Sequence, residues 1–156
     1  MLFRSQIRIA VVELRNDDAA LKPSEVAYFT DQVRSQAIAA LSGGRFLVMT
    51  RESIEALLPP GTKLSDCTKT QCEVEVGRKI GADYIVTGEV LRLGESLRLS
   101  LKVHHCVSGE FLGSETAKGV KVDDLESGLA APAGALFAKV RTHAGVGLAS
   151  SGGGSG

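Results

Sequence analysis

Apolar and polar positions along this chain follow two rhythms, and the changes between them mark out its elements. Ile7-Arg8-Ile9-Ala10-Val11-Val12-Glu13-Leu14 is a short, β-branched, mostly apolar run, the pattern of a strand buried on both faces. The polar stretch Arg15 to Lys22 reads as a loop. Pro23 suits the first turn of a helix. After it Val26, Phe29, Val33, Ala37 and Leu41 recur at helical spacing, with Asp31, Gln32, Arg34 and Gln36 on the other side. Ser42-Gly43-Gly44 supplies a glycine stop. Arg45 to Thr50 is a second strand, and Thr50 can cap a short helix that turns Ile54, Leu57 and Leu58 inward. Pro59-Pro60-Gly61 ends it. Thr70-Gln71-Cys72-Glu73 fits a capping box opening a third helix, and Gly81 closes that helix.

The rhythm then changes to a period of two. Tyr84 to Leu93 is a strand, and Gly94-Glu95-Ser96 a turn. From Leu97 to Cys106, Leu97, Leu99, Leu101 and Val103 take one face while Arg98, Ser100 and Lys102 take the other. Val107-Ser108-Gly109 is a second turn, and Glu110 to Gly119 a weaker strand that reads as a sheet edge. Asp123 can cap a last helix with Leu125, Leu129, Leu136, Phe137 and Val140 inward, and Pro132 inside that pattern predicts a kink or a split. The order β-α-β-α-α-β-β-β-α gives crossover connections first and a meander last. It predicts an α/β fold: a two-layer sandwich with a five-stranded mixed sheet and helices mainly on one face. No internal repeat is present. Residues 1–147 are expected to form a single domain. Residues 148–156, rich in Gly and Ser, are expected to be a flexible tail or a linker leading to further chain.

Composition narrows the function classes. A chain of 156 residues with 44% hydrophobic and 23% charged residues is long enough to bury a core without metal or cross-link. Its 18 basic and 18 acidic residues cancel, which argues against a nucleic-acid partner. No apolar run approaches the ~20 residues that span a bilayer, and Met1-Leu2-Phe3-Arg4 runs straight into a strand pattern without a signal peptide. Membrane association is therefore expected only through a part of a longer parent chain.

The reactive side chains are few. Cys67 and Cys72, separated by four residues, can close a small disulfide loop, stay as free thiols or form half of a zinc site. A zinc site needs more ligands, and Asp66 and Glu73 are poor companions for thiolates. The disulfide is the preferred reading and places the domain outside the cytosol. In His104-His105-Cys106 neighbouring side chains point to opposite faces, so only His104 and Cys106 can converge, and nothing in the sequence brings His143 near. No metal site is expected, and Cys106 is left as an odd thiol. Gly43-Gly44, Gly77, Gly81, Gly88 and Gly145-Val146-Gly147 form no phosphate-binding motif. Gly88 inside a strand marks a bulge or a close backbone approach. Glu13, Asp17 and Asp18 after the first strand read as a solvated loop, since no basic partner is identifiable. Ser24, Ser53, Ser100 and Ser108 lack any triad or elbow context. No catalytic residue and no cofactor are expected.

Gly81-Ala82-Asp83-Tyr84-Ile85-Val86-Thr87-Gly88-Glu89-Val90 resembles the signature of the TolB N-terminal-domain-like group, which includes CsgG- and FlgO-type envelope proteins and the peptidoglycan-synthase activator LpoB. The preceding helix, the alternating Leu97 to Val103 run, the Ser108-Gly109-Glu110 turn and the opening Arg8 to Val12 strand resemble the same group, over roughly residues 6 to 142. The Asp66-Cys67 to Cys72-Glu73-Val74-Glu75-Val76-Gly77-Arg78 stretch is similar to a deltaproteobacterial subset of it. His105 and Cys106 depart from the Asp and Thr the group commonly carries there. The resemblance implies a non-enzymatic, periplasmic or otherwise extracytoplasmic module that binds another envelope protein, as part of a larger signalling, motility or secretion component. Two surfaces are candidates: the edge strand, at Phe111, Leu112, Ser114 and Thr116, and a groove between the sheet and the helix starting near Pro23. The rival readings are a thiol-redox or metal-binding protein using Cys67, Cys72, Cys106 and the histidines, and a small-ligand sensor.

Overall fold

In the computed structural model, residues 6–43, 45–62, 67 and 69–145 are described, with only the backbone of Asp18. Gly44, Asp66, Val146, Gly147 and the 148–156 tail lie outside them, so the expectations placed on those residues are not addressed below. The order is β1 (Ile7–Val11), β2 (Arg15–Asn16), a 3₁₀ turn (Asp17–Ala19), α1 (Pro23–Ala40), β3 (Phe46–Val48), α2 (Arg51–Leu57), α3 (Thr70–Lys79), β4 (Tyr84–Leu93), β5 (Ser96–His105), β6 (Phe111–Gly119), α4 (Val122–Ser127) and α5 (Ala130–Ala144).

One mixed sheet runs β3-β1-β4-β5-β6, parallel across β3, β1 and β4 and antiparallel from β4 to β6. A sixth strand corrects the expected five: after a break at residues 12–14 the chain rejoins the edge of β4 as β2, with Arg15 beside Glu89 and Asn16 beside Val90. Two polar residues carry no period, which is why β2 looks like loop. The β6 edge lies where the pattern puts it.

The alternating strands divide the core in two. Val11, Val86, Val90, Leu97, Leu99, Leu101 and Val103 pack against Phe29 and Val33 of α1, Leu125 of α4 and Leu136, Phe137 and Val140 of α5. On the opposite face Ala10, Val12, Ile85 and Cys106 meet Met49, Ile54 of α2 and Ile80 after α3. The two longest helices, α1 and α5, thus share one face, while α2 and α3 shield only the parallel half of the other. Among the described residues no helix packs over the far side of the β5-β6 hairpin.

Three local expectations need correction. Lys69, not Thr70, is the residue before α3, so Glu73 enters the second turn and turns inward, 4% exposed, instead of capping the helix. The last helix is split, but at Gly128 and Leu129. Pro132 lies within the first turn of α5, where the missing N–H has no helical partner to lose. At α4 the residue before the helix is Lys121, whose backbone N–H donates to Asp124, and Asp123 is not the cap. Thr50 does cap α2, accepting from the Ser53 N–H, and Gly81 closes α3 with φ 78°, a left-handed turn that favours glycine.

Cys67 and Cys72 are bonded, their Cα atoms 5.5 Å apart. The bond ties the buried Cys67 to the first turn of α3. Closing so short a loop limits the entropy removed from the unfolded chain, so replacing both cysteines by serine is expected to cost about 2 kcal/mol. Urea unfolding of the variant, beside the parent with and without reductant, measures it; an unchanged midpoint contradicts the staple.

Candidate interaction surface

β6 pairs with β5 on one side only, and among the described residues no strand lies along its outer edge. Its register shifts at the start: Val103 faces Gly113, His104 faces Phe111, and Leu112 is the extra residue of a bulge. The four residues singled out on this strand therefore separate. Phe111, Ser114 and Thr116 share the open face, whereas Leu112 packs against the core beneath α5. Phe111 is 53% exposed, its ring 5.2 Å from that of the buried His104.

The open face beside β6 is polar and organised in rows across the strands. Arg15, Glu89, Ser100 and Thr116 stand opposite one another from β2 to β6, and Thr87, Lys102 and Ser114 form the next row. Glu73 leans over from α3, its Oε1 3.7 Å from the Lys102 ammonium. Arg15, Glu73, Gly88, Glu89, Ser100, Lys102, Ser114 and Thr116 line a concavity of about 270 Å³. The sequence shows these residues only as the polar half of an alternation. Their alignment depends on registers between strands distant in the chain.

Asp83 of the signature and Arg78 just before it hold elements together. Asp83 accepts the Arg8 backbone N–H at 2.8 Å and so pins β1 to the start of β4. Arg78 donates through Nε to the Cys106 carbonyl at 2.7 Å, clamping α3 to the end of β5.

His143 is brought next to His105, against the expectation that nothing places it there. Their ring centroids are 4.7 Å apart, and the Tyr84 hydroxyl lies 2.7 Å from His143 Nδ1, whose Nε2 is 3.2 Å from Glu110. Among the described residues no three His, Cys, Asp or Glu side chains are grouped to hold a metal. Tyr84 is pushed up to about 12 by burial, then by Asp83 and Glu110, so its hydroxyl stays protonated. Cys106 is enclosed, and burial, reinforced by Asp83, raises its thiol to about 12. That suppresses the thiolate a redox or metal role requires. His104 likewise sits apart, 1% exposed, its Nδ1 without a partner among the described residues.

Burial lowers the pKa of both His104 and His105, helped by Lys102 at the first and by His143 at the second, while Asp83 and Glu110 oppose the shift at His105. The unfolded chain, with histidine near ~6.5, therefore takes up protons before the folded one as pH falls. Stability is fully present above about pH 6.5 and drops below it, through the depressed folded-state values. Thermal unfolding at several pH values tests this, and His104→Phe should flatten part of the slope. An equal slope in the variant assigns the effect elsewhere.

The second expected surface is not a groove under α1. Val26, Phe29, Val33 and Ala37 fill that interface. An opening of about 300 Å³ lies instead between α1 and α2, lined by Glu13, Leu14, Arg34, Arg51, Ile54, Glu55 and Leu58. Glu13 is the exposed loop residue expected, but it has a basic partner that the sequence does not reveal: Arg51 donates to it at 2.8 Å and to Asp31 at 2.9 Å. Arg34 donates to the Val11 carbonyl at 2.6 Å and to Asp31 at 2.9 Å. These guanidiniums tie α1 and α2 to the end of β1.

No protein-family model matches the chain, and no curated protein matches it. Among solved structures it is similar to the LpoB C-terminal domain from Salmonella enterica, with 16% identity over 77% of this chain and 86% of that one, at a TM-score of 0.51. The fold is LpoB-like. Further similar structures are the LpoB C-terminal domain from Escherichia coli (15% identity, 75% and 84% covered, TM-score 0.49) and the lipoprotein GNA1162 from Neisseria meningitidis (15%, 90% and 98%, 0.47). At such identities the likeness is one of fold. Among the described residues no helix is long and apolar enough to cross a membrane.

Proposed function

We propose that this domain works by binding another protein of the bacterial envelope, as the extracytoplasmic module of a larger signalling, motility or secretion component. The observation that carries the reading is β6: a sheet edge free of any strand partner among the described residues, with the exposed Phe111 at its start. Such an edge can take a partner strand through backbone hydrogen bonds, and an exposed aromatic beside it gives an anchor. The LpoB-like fold and the envelope signature at Gly81 to Val90 support the compartment, as does the Cys67–Cys72 bond, since disulfides persist in oxidising surroundings. The Cys72 to Arg78 stretch supports membership of the deltaproteobacterial subset. The reading involves no catalysis, cofactor or nucleic acid.

A photo-crosslinking residue at position 111, expressed in the native host, is expected to give one adduct of defined mass. The same residue at Ile38, equally apolar and exposed on α1, should not. The double variant Ser114→Lys/Thr116→Lys, which puts charge beside the edge, should abolish the adduct without changing the melting temperature by more than a few degrees. No adduct at 111, or the same adducts at 111 and 38, refutes it.

A further inference from the structure

We infer that the concavity on the open face of the meander binds a small zwitterion of the α-amino-acid class, its ammonium taken by Glu73 and its carboxylate by Lys102 and Arg15. The inference does not rest on strand addition at β6.

Glu73 is the decisive residue. It is 4% exposed, it lines the concavity, and its Oε1 has no hydrogen-bond donor among the described residues. A buried carboxylate oxygen without a donor is costly, and a ligand that donates to it recovers that cost. Lys102 stands 3.7 Å from the same oxygen, too far for a hydrogen bond, so the ammonium neutralises the carboxylate without using its acceptor capacity. Arg15 and Glu89 repeat the arrangement across the concavity, again at 3.7 Å. Thr87 Oγ1, directly opposite Lys102 in the register, is also buried and has no partner among the described residues.

Two loosely spaced pairs of opposite charge set the ligand class. A metal cation faces Lys102 and Arg15 wherever it approaches Glu73 or Glu89, and a plain anion faces the two carboxylates. A molecule carrying both charges a few ångströms apart gives Glu73 a donor, gives Lys102 and Arg15 a carboxylate, and leaves the lining at net zero. Between the pairs, Ser100, Ser114 and Thr116 offer hydroxyls and no bulk; the Ser100 and Thr116 oxygens are 3.4 Å apart. The volume, about 270 Å³, suits a small amino acid and excludes a long peptide.

The test is an amide-NMR titration of the full chain with glycine, alanine and serine, beside alaninamide and N-acetylalanine, which each lack one charge. Saturable shifts centred on Glu73, Lys102 and Ser114 are expected with at least one free amino acid. Each single-charge derivative should bind about 10–100-fold more weakly. Glu73→Gln should weaken amino-acid binding by a similar factor. Ser114→Leu, at an exposed position where folding is not at stake, should block the concavity and abolish it. No saturable shift with any of the three amino acids, equal binding by the derivatives, or undiminished binding by Ser114→Leu overturns the inference.

Discussion

Replacing Phe137 by alanine lowers the unfolding free energy by about 3–5 kcal/mol. Phe137 is fully buried, at the middle of α5, where Ala133, Leu136 and Val140 complete the inward stripe. That stripe covers the meander strands and meets α1, so it joins the parallel and antiparallel halves of the sheet into one core. Truncation removes the ring's burial and leaves a cavity that two helices and a sheet cannot collapse around. The loss is a large share of the ~5–15 kcal/mol a domain possesses. Ala135→Ser on the exposed side of the same helix should stay within about 0.5 kcal/mol. Urea unfolding of the pair measures both. Equal midpoints would mean that α5 is dispensable and the core lies elsewhere.

The period-three-to-four and period-two patterns carried most of this architecture because a half-buried strand and a one-sided helix each impose a repeat on their own residues. Leu97 to Val103 shows its faces without help, and so does Val26 to Ala37. What stayed hidden depends on pairs distant in the chain. β2 exists only because β4 offers Arg15 and Asn16 an unused edge. Glu73 satisfies the capping-box spacing, yet the helix begins one residue earlier and turns it towards Lys102. His143 reaches His105 through the docking of α5 on the meander, a contact no local pattern encodes. The candidate surface divides in the same way. The edge character of β6 follows from its weak apolar pattern, whereas the displacement of Leu112 to the core side needs the bulge, and the rows beneath Glu73 need the registers of four strands.

Gly88 joins the fold to that surface, and its replacement by alanine is expected to destabilise the domain by about 2–3 kcal/mol. In most strands the exchange is favourable, because glycine loses more backbone freedom on folding than alanine does. Here a Cβ would stand 2.7 Å from the Ser100 carbonyl oxygen, 2.8 Å from Leu14 Cδ2 and 2.9 Å from Leu101 Cδ2. The two leucine methyls can rotate at some cost, but the carbonyl belongs to the paired backbone of β5 and yields only if the strands part. Parting them moves Ser100, and with it the row that runs from Arg15 to Thr116. At ~2–4 °C per kcal/mol for a chain of this size, the melting temperature should fall by about 4–12 °C. Gly134→Ala is the opposing case: in α5 an added methyl meets nothing within 4 Å, so the entropy argument acts alone and should raise stability by about 0.5–1 kcal/mol. Opposite signs for the same chemical change, read from one pair of melting curves, would establish that β4 and β5 are pressed together at Gly88. A stabilising Gly88→Ala would show that the strands lie further apart than this packing requires.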